Sequence, residues 1–174
     1  MKSLSLFGLL VLGCVVTGCG GGDKPTAPSP ASSVMFTAPL LPSNEVPPVT
    51  DGEAGGSGSA TLTFNLTKDA SGAITAATMD ATVTVSGFPA GTALTASHIH
   101  PGASGANGGV FVSLGLAAGE VSFATGSGSF TKRGLSLTVD QANAIIANPA
   151  AFYLNIHTAA NAGGVARGQL TRVQ

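Results

Sequence analysis

The chain is 174 residues long and nearly neutral, with seven Lys plus Arg against eight Asp plus Glu. That balance excludes a groove tracking nucleic acid, which needs many more cations along one face. Twenty-five glycines and no tryptophan point to many tight turns around a core of Val, Leu, Ile, Phe and Ala.

The first nineteen residues, "MKSLSLFGLLVLGCVVTGC", read as a targeting segment. Lys2 supplies the positive flank, and the apolar run from Leu4 to Val16 is too short for a stable span of roughly 20 residues. The run ends in Val-Thr-Gly-Cys at 16–19, which resembles the bacterial lipoprotein signal. That resemblance implies a signal peptide over 1–18 and a lipidated amino terminus at Cys19. Val-Leu-Gly-Cys at 11–14 fits the same pattern, but Cys19 leaves the longer apolar segment before it. "GGGDKPTAPSPASS" then follows as a flexible tether over 19–33. An acylated Cys19 leaves no spare thiol, and so no disulfide and no thiol catalysis. The domain would then sit in the cell envelope outside the cytoplasm, held to a membrane by its acyl anchor and free to meet a protein or other envelope partner.

Residues 34–174 form one domain, enough for a single core. "VMFTAPLLP" reads as a strand, and "SNEVPPVTDGEAGGSGS" as a long surface loop, because Pro47-Pro48 cannot continue a ladder. "ATLTFNLT" alternates, with Leu62, Phe64 and Leu66 on one face and Thr61, Thr63, Asn65 and Thr67 on the other. "KDASGA" is a hairpin turn, after which the alternation resumes into Val83 and Val85.

The next strand ends in His98-Ile99-His100, and "VFVSLG" and "EVSFATGSGSFT" continue the β pattern. "TVDQANAIIA" at 138–147 is the one helical candidate, capped by Thr138 or Asp140 and stopped by Asn148-Pro149. A final pair, "AAFYLNIHT" and "GGVARGQLTRV", is joined by a Gly-rich turn. Eight or so short strands with one brief helix predict an all-β, antiparallel Greek-key sandwich, one sheet face buried and the other wet.

All three histidines lie in two similar segments. Ile99-His100 with Asn107 and Gly108-Gly109-Val110 matches Ile156-His157 with Asn161 and Gly163-Gly164-Val165. Residues two apart on a strand share a face, so with Ile99 and Ile156 turned inward, His98, His100 and His157 lie on the outer side of the sheet. If the two strands are neighbours, three neutral imidazoles suit copper or zinc. A histidine beside a Gly-rich turn can equally hold that turn by donating to a backbone carbonyl, and on that reading there is no cofactor. His-x-His at a strand end also resembles copper–zinc superoxide dismutase, but the acidic ligand, the further histidines and the disulfide of that pattern have no counterpart here. No nucleophile elbow, P-loop, dinucleotide fingerprint or calcium loop occurs, so a non-catalytic structural or binding module is expected.

A closer resemblance covers nearly the whole domain. "SNEVPPV" at 43–49, "ASHIHPGASGANGGVFVSL" at 96–114 and "FYLNIHTAANAGGVARGQL" at 152–170 together resemble the CHRD (chordin-type) domain. This resemblance implies an immunoglobulin-like or superoxide-dismutase-like sandwich, and it draws attention to Asn44, Glu45, Asn155, Thr158, Arg167 and Gln169 as structural or binding residues. Glu45 and Arg167 are expected to pair, since a carboxylate and a guanidinium can make two parallel charge-assisted bonds.

Overall fold

The computed structural model describes residues 32–173. The expected signal peptide, Cys19 and nearly all of the expected tether lie outside them. Along the chain run β1 (Ser32–Leu40), β2 (Ser57–Lys68), β3 (Ile74–Ser86), β4 (Thr92–Pro101), β5 (Val112–Ser113), β6 (Val121–Phe123) and β7 (Gly128–Leu137). A helix, α1 (Val139–Ala147), precedes β8 (Phe152–Thr158), β9 (Ala166–Gln169) and β10 (Thr171–Arg172).

The strands make two antiparallel sheets. One has the order β10-β1-β2-β3-β7; the other runs β5-β4-β8-β9, with β6 also paired to β4. The architecture is therefore the expected all-β sandwich with one short helix. Alternation explains the first sheet directly. Val34, Phe36, Ala38 and Leu40 of β1 and Ala60, Leu62, Phe64 and Leu66 of β2 are all buried, and the register sets Val34 against Phe64 and Phe36 against Leu62. Each of the Val, Leu and Phe side chains among them, fully buried, stabilises the fold by roughly 1.5–3 kcal/mol. Thr138 caps α1 in a reciprocal box with Gln141 and buries Ala142 and Ile145, as its pattern requires.

Several boundaries differ from the sequence expectation. β1 begins at Ser32, inside the expected tether, and β2 begins at Ser57, inside the expected loop. "EVSFATGSGSFT" is not one strand: it turns at Gly126, whose φ of 73° favours glycine, and gives β6 to one sheet and β7 to the other. The last segment also divides. After Leu170, buried in the core, β10 leaves β9 and pairs with β1.

The larger difference concerns the outer face of the second sheet. A half-wet face is expected there, yet every residue of β8 is buried. Loops cover it. Residues 41–56 form a strap over β8 and β9, fastened by an isolated bridge between Leu41 and Arg167 and by Asn44.

Candidate metal centre and its polar surroundings

β4 and β8 are hydrogen-bonded neighbours, with His98 opposite Asn155, His100 opposite Tyr153 and His157 opposite Ala96. Ile99 and Ile156 are fully buried in the core, so the three imidazoles are turned to the other face, as the strand period dictates. His100 and His157 are each 7 % exposed, under the loops, whereas His98 is half-buried. One ring nitrogen from each of the three lies within 4.8 Å of the other two.

Local contacts orient the rings. His100 Nδ1 lies 3.0 Å from the Gly108 carbonyl oxygen, and His157 Nδ1 lies 3.0 Å from that of Ala162. A carbonyl only accepts, so both Nδ1 atoms carry a proton, and in the neutral form of each ring Nε2 presents a lone pair. His100 Nε2 is buried and has no hydrogen-bond partner; His157 Nε2 is 3.2 Å from His98 Nδ1. Metal-binding histidines commonly have the far nitrogen tied in this way. Burial, and then the charge of His100, holds His98 below the usual imidazole pKa. Burial also lowers His157, against the raising effect of the Ala162 carbonyl and with the charges of His98 and His100. Both are therefore neutral, as ligands must be.

Beside the histidines lies a buried polar layer. Tyr153 stacks on His100, with ring centroids 5.1 Å apart and planes 11° from parallel. Over the tyrosine lies Arg167, its Cζ 4.5 Å from the ring centroid. Arg167 is 1 % exposed. Its Nε donates to Asn44 O at 2.6 Å, and its Nη1 donates to Ala106 O at 3.2 Å and to Asn107 Oδ1 at 2.8 Å. Asn44 returns a bond, Nδ2 to Arg167 O at 3.1 Å.

The expected Glu45–Arg167 ion pair does not form. Both side chains are buried and the Arg167 charge acts on Glu45, but among the described residues the ion pair within bonding distance is Lys132 with Glu120. The guanidinium is held by carbonyls and Asn107 instead. Burial therefore dominates at Glu45 and raises its pKa to about 7, against the lowering effects of Arg167 and the Asn155 side chain. Gly164, with φ 143°, makes room for this arrangement: a Cβ there would run into Asn155 and the Glu45 carboxylate.

The remaining expected residues have structural partners. Thr158 Oγ1 donates to Glu53 Oε2 at 2.6 Å, and Asn161 Nδ2 reaches Glu53 Oε2 at 2.7 Å and Asp51 Oδ2 at 2.8 Å, stapling the strap to the last turn. Gln169 Nε2 donates to the carbonyls of Gly102, Ala150 and Phe152 at 2.8–3.2 Å. Ser97 Oγ donates to Asn155 O at 3.1 Å, while Asn155 Oδ1 has no partner. The sequence pattern does not assign Tyr153, Glu53 or Asn107 the roles they take in this layer. The strand period puts Tyr153 on one face with Asn155 and His157, whereas only the docking of the strap brings Glu53 to Thr158.

In comparisons with known proteins, the family described as CHRD domain matches residues 36–170. Neither the curated proteins nor the solved structures include a match to the chain.

Proposed function

The chain belongs to the CHRD domain family, and on that premise we propose that its sandwich binds one copper or zinc ion through His98, His100 and His157. The observation that carries this reading is the convergence of three ring nitrogens within 4.8 Å. Two further features support it. The Nδ1 protons of His100 and His157 are directed to carbonyls, and burial disfavours the charged forms of His98 and His157. Imidazoles alone suit copper and zinc better than magnesium or calcium, which take oxygen ligands. Three protein ligands would leave a fourth position for an outside donor.

The domain acts as a binding module without turnover, carried at the cell envelope by an acyl chain on Cys19. The composition of residues 1–19 supports that anchor. Labelled palmitate should enter the chain in a bacterial host, and Cys19→Ser should abolish incorporation. For the metal, copper(II) added to untagged protein should saturate at one ion per chain, with an electron paramagnetic resonance spectrum showing nitrogen coupling from imidazoles. A spectrum without nitrogen coupling would remove the histidines from the site.

A second reading keeps the histidines structural. The bonds of His100 to Gly108 and of His157 to Ala162 hold two turns, and would do so without an ion. It predicts no stoichiometric uptake.

A further inference from the structure

A cleft of about 520 Å³ opens beside the histidines, within the range of small-ligand sites. His100, Gly108 and Tyr153 line it, between the strap at 45–51 and the turn at 160–164. Its ionisable lining is Glu45, Asp51, His100 and Tyr153, with no lysine or arginine. Among the described residues, five buried side-chain polar atoms lack a partner; two of them, Glu45 Oε1 and His100 Nε2, belong to residues that line the cleft, and Asn155 Oδ1 and Arg167 Nη2 belong to the polar layer adjoining it. Native folds leave few such atoms unpaired, so their concentration in one place calls for an explanation.

Three of the four are acceptors. An ion on the histidines uses His100 Nε2 and leaves Glu45 Oε1 without a partner. Arg167 makes no ion pair with it: Nε and Nη1 are bonded to Asn44, Ala106 and Asn107, and Nη2 has no hydrogen-bond partner. Glu45 is 6 % exposed, and it lines the cleft. What fits there is a positively charged group rich in donors.

We propose that this cleft binds a small organic cation whose primary ammonium sits against Glu45 and whose aliphatic part lies along Val46, Pro47 and Pro48. An ammonium brings three donors and no acceptor, and Val46, Pro47 and Pro48 supply apolar surface on the same wall. Its bond to a carboxylate is charge-assisted and roughly twice as strong as a neutral one. The inference rests on the cleft and its carboxylate, and stands apart from the metal reading.

The test uses full-length, ¹⁵N-labelled protein treated with chelator, at pH 8, where a carboxyl with a pKa of about 7 is ionised. Titration with n-butylammonium should give saturable amide shifts centred on residues 46–51 and 160–164, and n-butyrate should give none. Glu45→Gln should weaken butylammonium binding at least about tenfold. Equal binding of the two probes, unchanged affinity in Glu45→Gln, or no saturable shift would each overturn the proposal. Should Glu45→Gln fail to fold, the contrast between the two probes on the wild-type chain decides alone. Because no metal is present in the sample, failure here leaves the metal centre standing, and failure of metal uptake leaves this cleft standing.

Discussion

His98 Nδ1 and His157 Nε2 face each other at 3.2 Å from neighbouring strands. Two nitrogens bound to one ion at roughly 2.0–2.1 Å in a tetrahedral array stand about 3.3 Å apart. The pair therefore already has the separation that two ligands of one ion require, and His100 Nε2, buried without a partner, supplies the third donor. In the absence of an ion the same two atoms share a single proton as a hydrogen bond, so metal entry displaces one weak contact rather than rebuilding the site.

Replacing one ligand should then cost far more than replacing a residue behind it. Loss of partners behind a ligand commonly costs 10–100-fold in metal affinity. His100→Ala and His157→Ala should each lower affinity by more than about a hundredfold, measured by competition with a chelator of known strength. Tyr153→Phe keeps the stacked ring and loses only the hydroxyl that accepts from Gly108 N at 3.3 Å, and should change affinity less than about tenfold.

Metal uptake should tolerate mild acid. Because burial lowers the pKa values of His98 and His157, protons compete with metal for these two rings at a lower pH than they do for an ordinary imidazole. Zinc affinity measured from pH 7.5 downward should fall less steeply than three ligands of ordinary imidazole pKa would give. The same groups make the metal-free fold less stable as pH drops below 6.5, since the unfolded chain then binds protons that the folded chain refuses. A fall as steep as ordinary imidazoles give would show His98 and His157 to be more basic than their burial implies.

Glu45 works with the opposite sign. Its folded pKa of about 7 is above the unfolded 4.5, so the folded chain binds the extra proton between those values. Its contribution is full below pH 4.5, falls as pH rises through the window and is gone above 7. The stability of the wild type minus that of Glu45→Gln should therefore decline across pH 4.5–7, by up to about 3 kcal/mol. Subtracting the variant cancels the histidine contribution, and denaturant melts at four pH values give the curve. A difference that is flat with pH would mean that Arg167 and Asn155 offset the burial fully.

Arg167 should be the least replaceable polar residue of the domain. It is 1 % exposed, donates three hydrogen bonds and covers the Tyr153 ring. Arg167→Met should destabilise by about 3–5 kcal/mol in urea melts, by stranding the carbonyls of Asn44 and Ala106 and leaving Glu45 without a nearby cation. Arg167→Lys should recover little, because an ammonium cannot reproduce the planar fork or the stacking.

Much of this arrangement is legible in the sequence, and the limits have physical causes. Strict alternation around Ile99 and Ile156 puts both isoleucines inside and so places His98, His100 and His157 together on the opposite face. The family resemblance draws attention to Asn44, Glu45, Asn155 and Arg167, but neither their gathering in one polar layer nor their bonding follows from it. A Glu–Arg pair is the simplest expectation for two opposite charges; the backbone carbonyls of Asn44 and Ala106, which take the guanidinium instead, carry no side-chain signature. The covering of β8 on both faces is hidden for a similar reason, since it depends on where a Pro- and Gly-rich strap docks. The exit of β10 to the first sheet is likewise a tertiary matter. It follows Gly168, where a Cβ would run into the carbonyl of Pro39, and only the close approach of the two sheets makes that glycine necessary.

The central claim is that the two histidine segments form one metal centre, and metal content per chain tests it most directly. Protein made without a His tag, loaded with excess zinc or copper and then desalted, should carry one ion per chain by inductively coupled plasma mass spectrometry. The variant with His98, His100 and His157 all replaced by Ala should carry none while keeping the β-sheet circular dichroism of the wild type. A wild type that retains no ion, or a folded triple variant that retains as much as the wild type, would contradict the account.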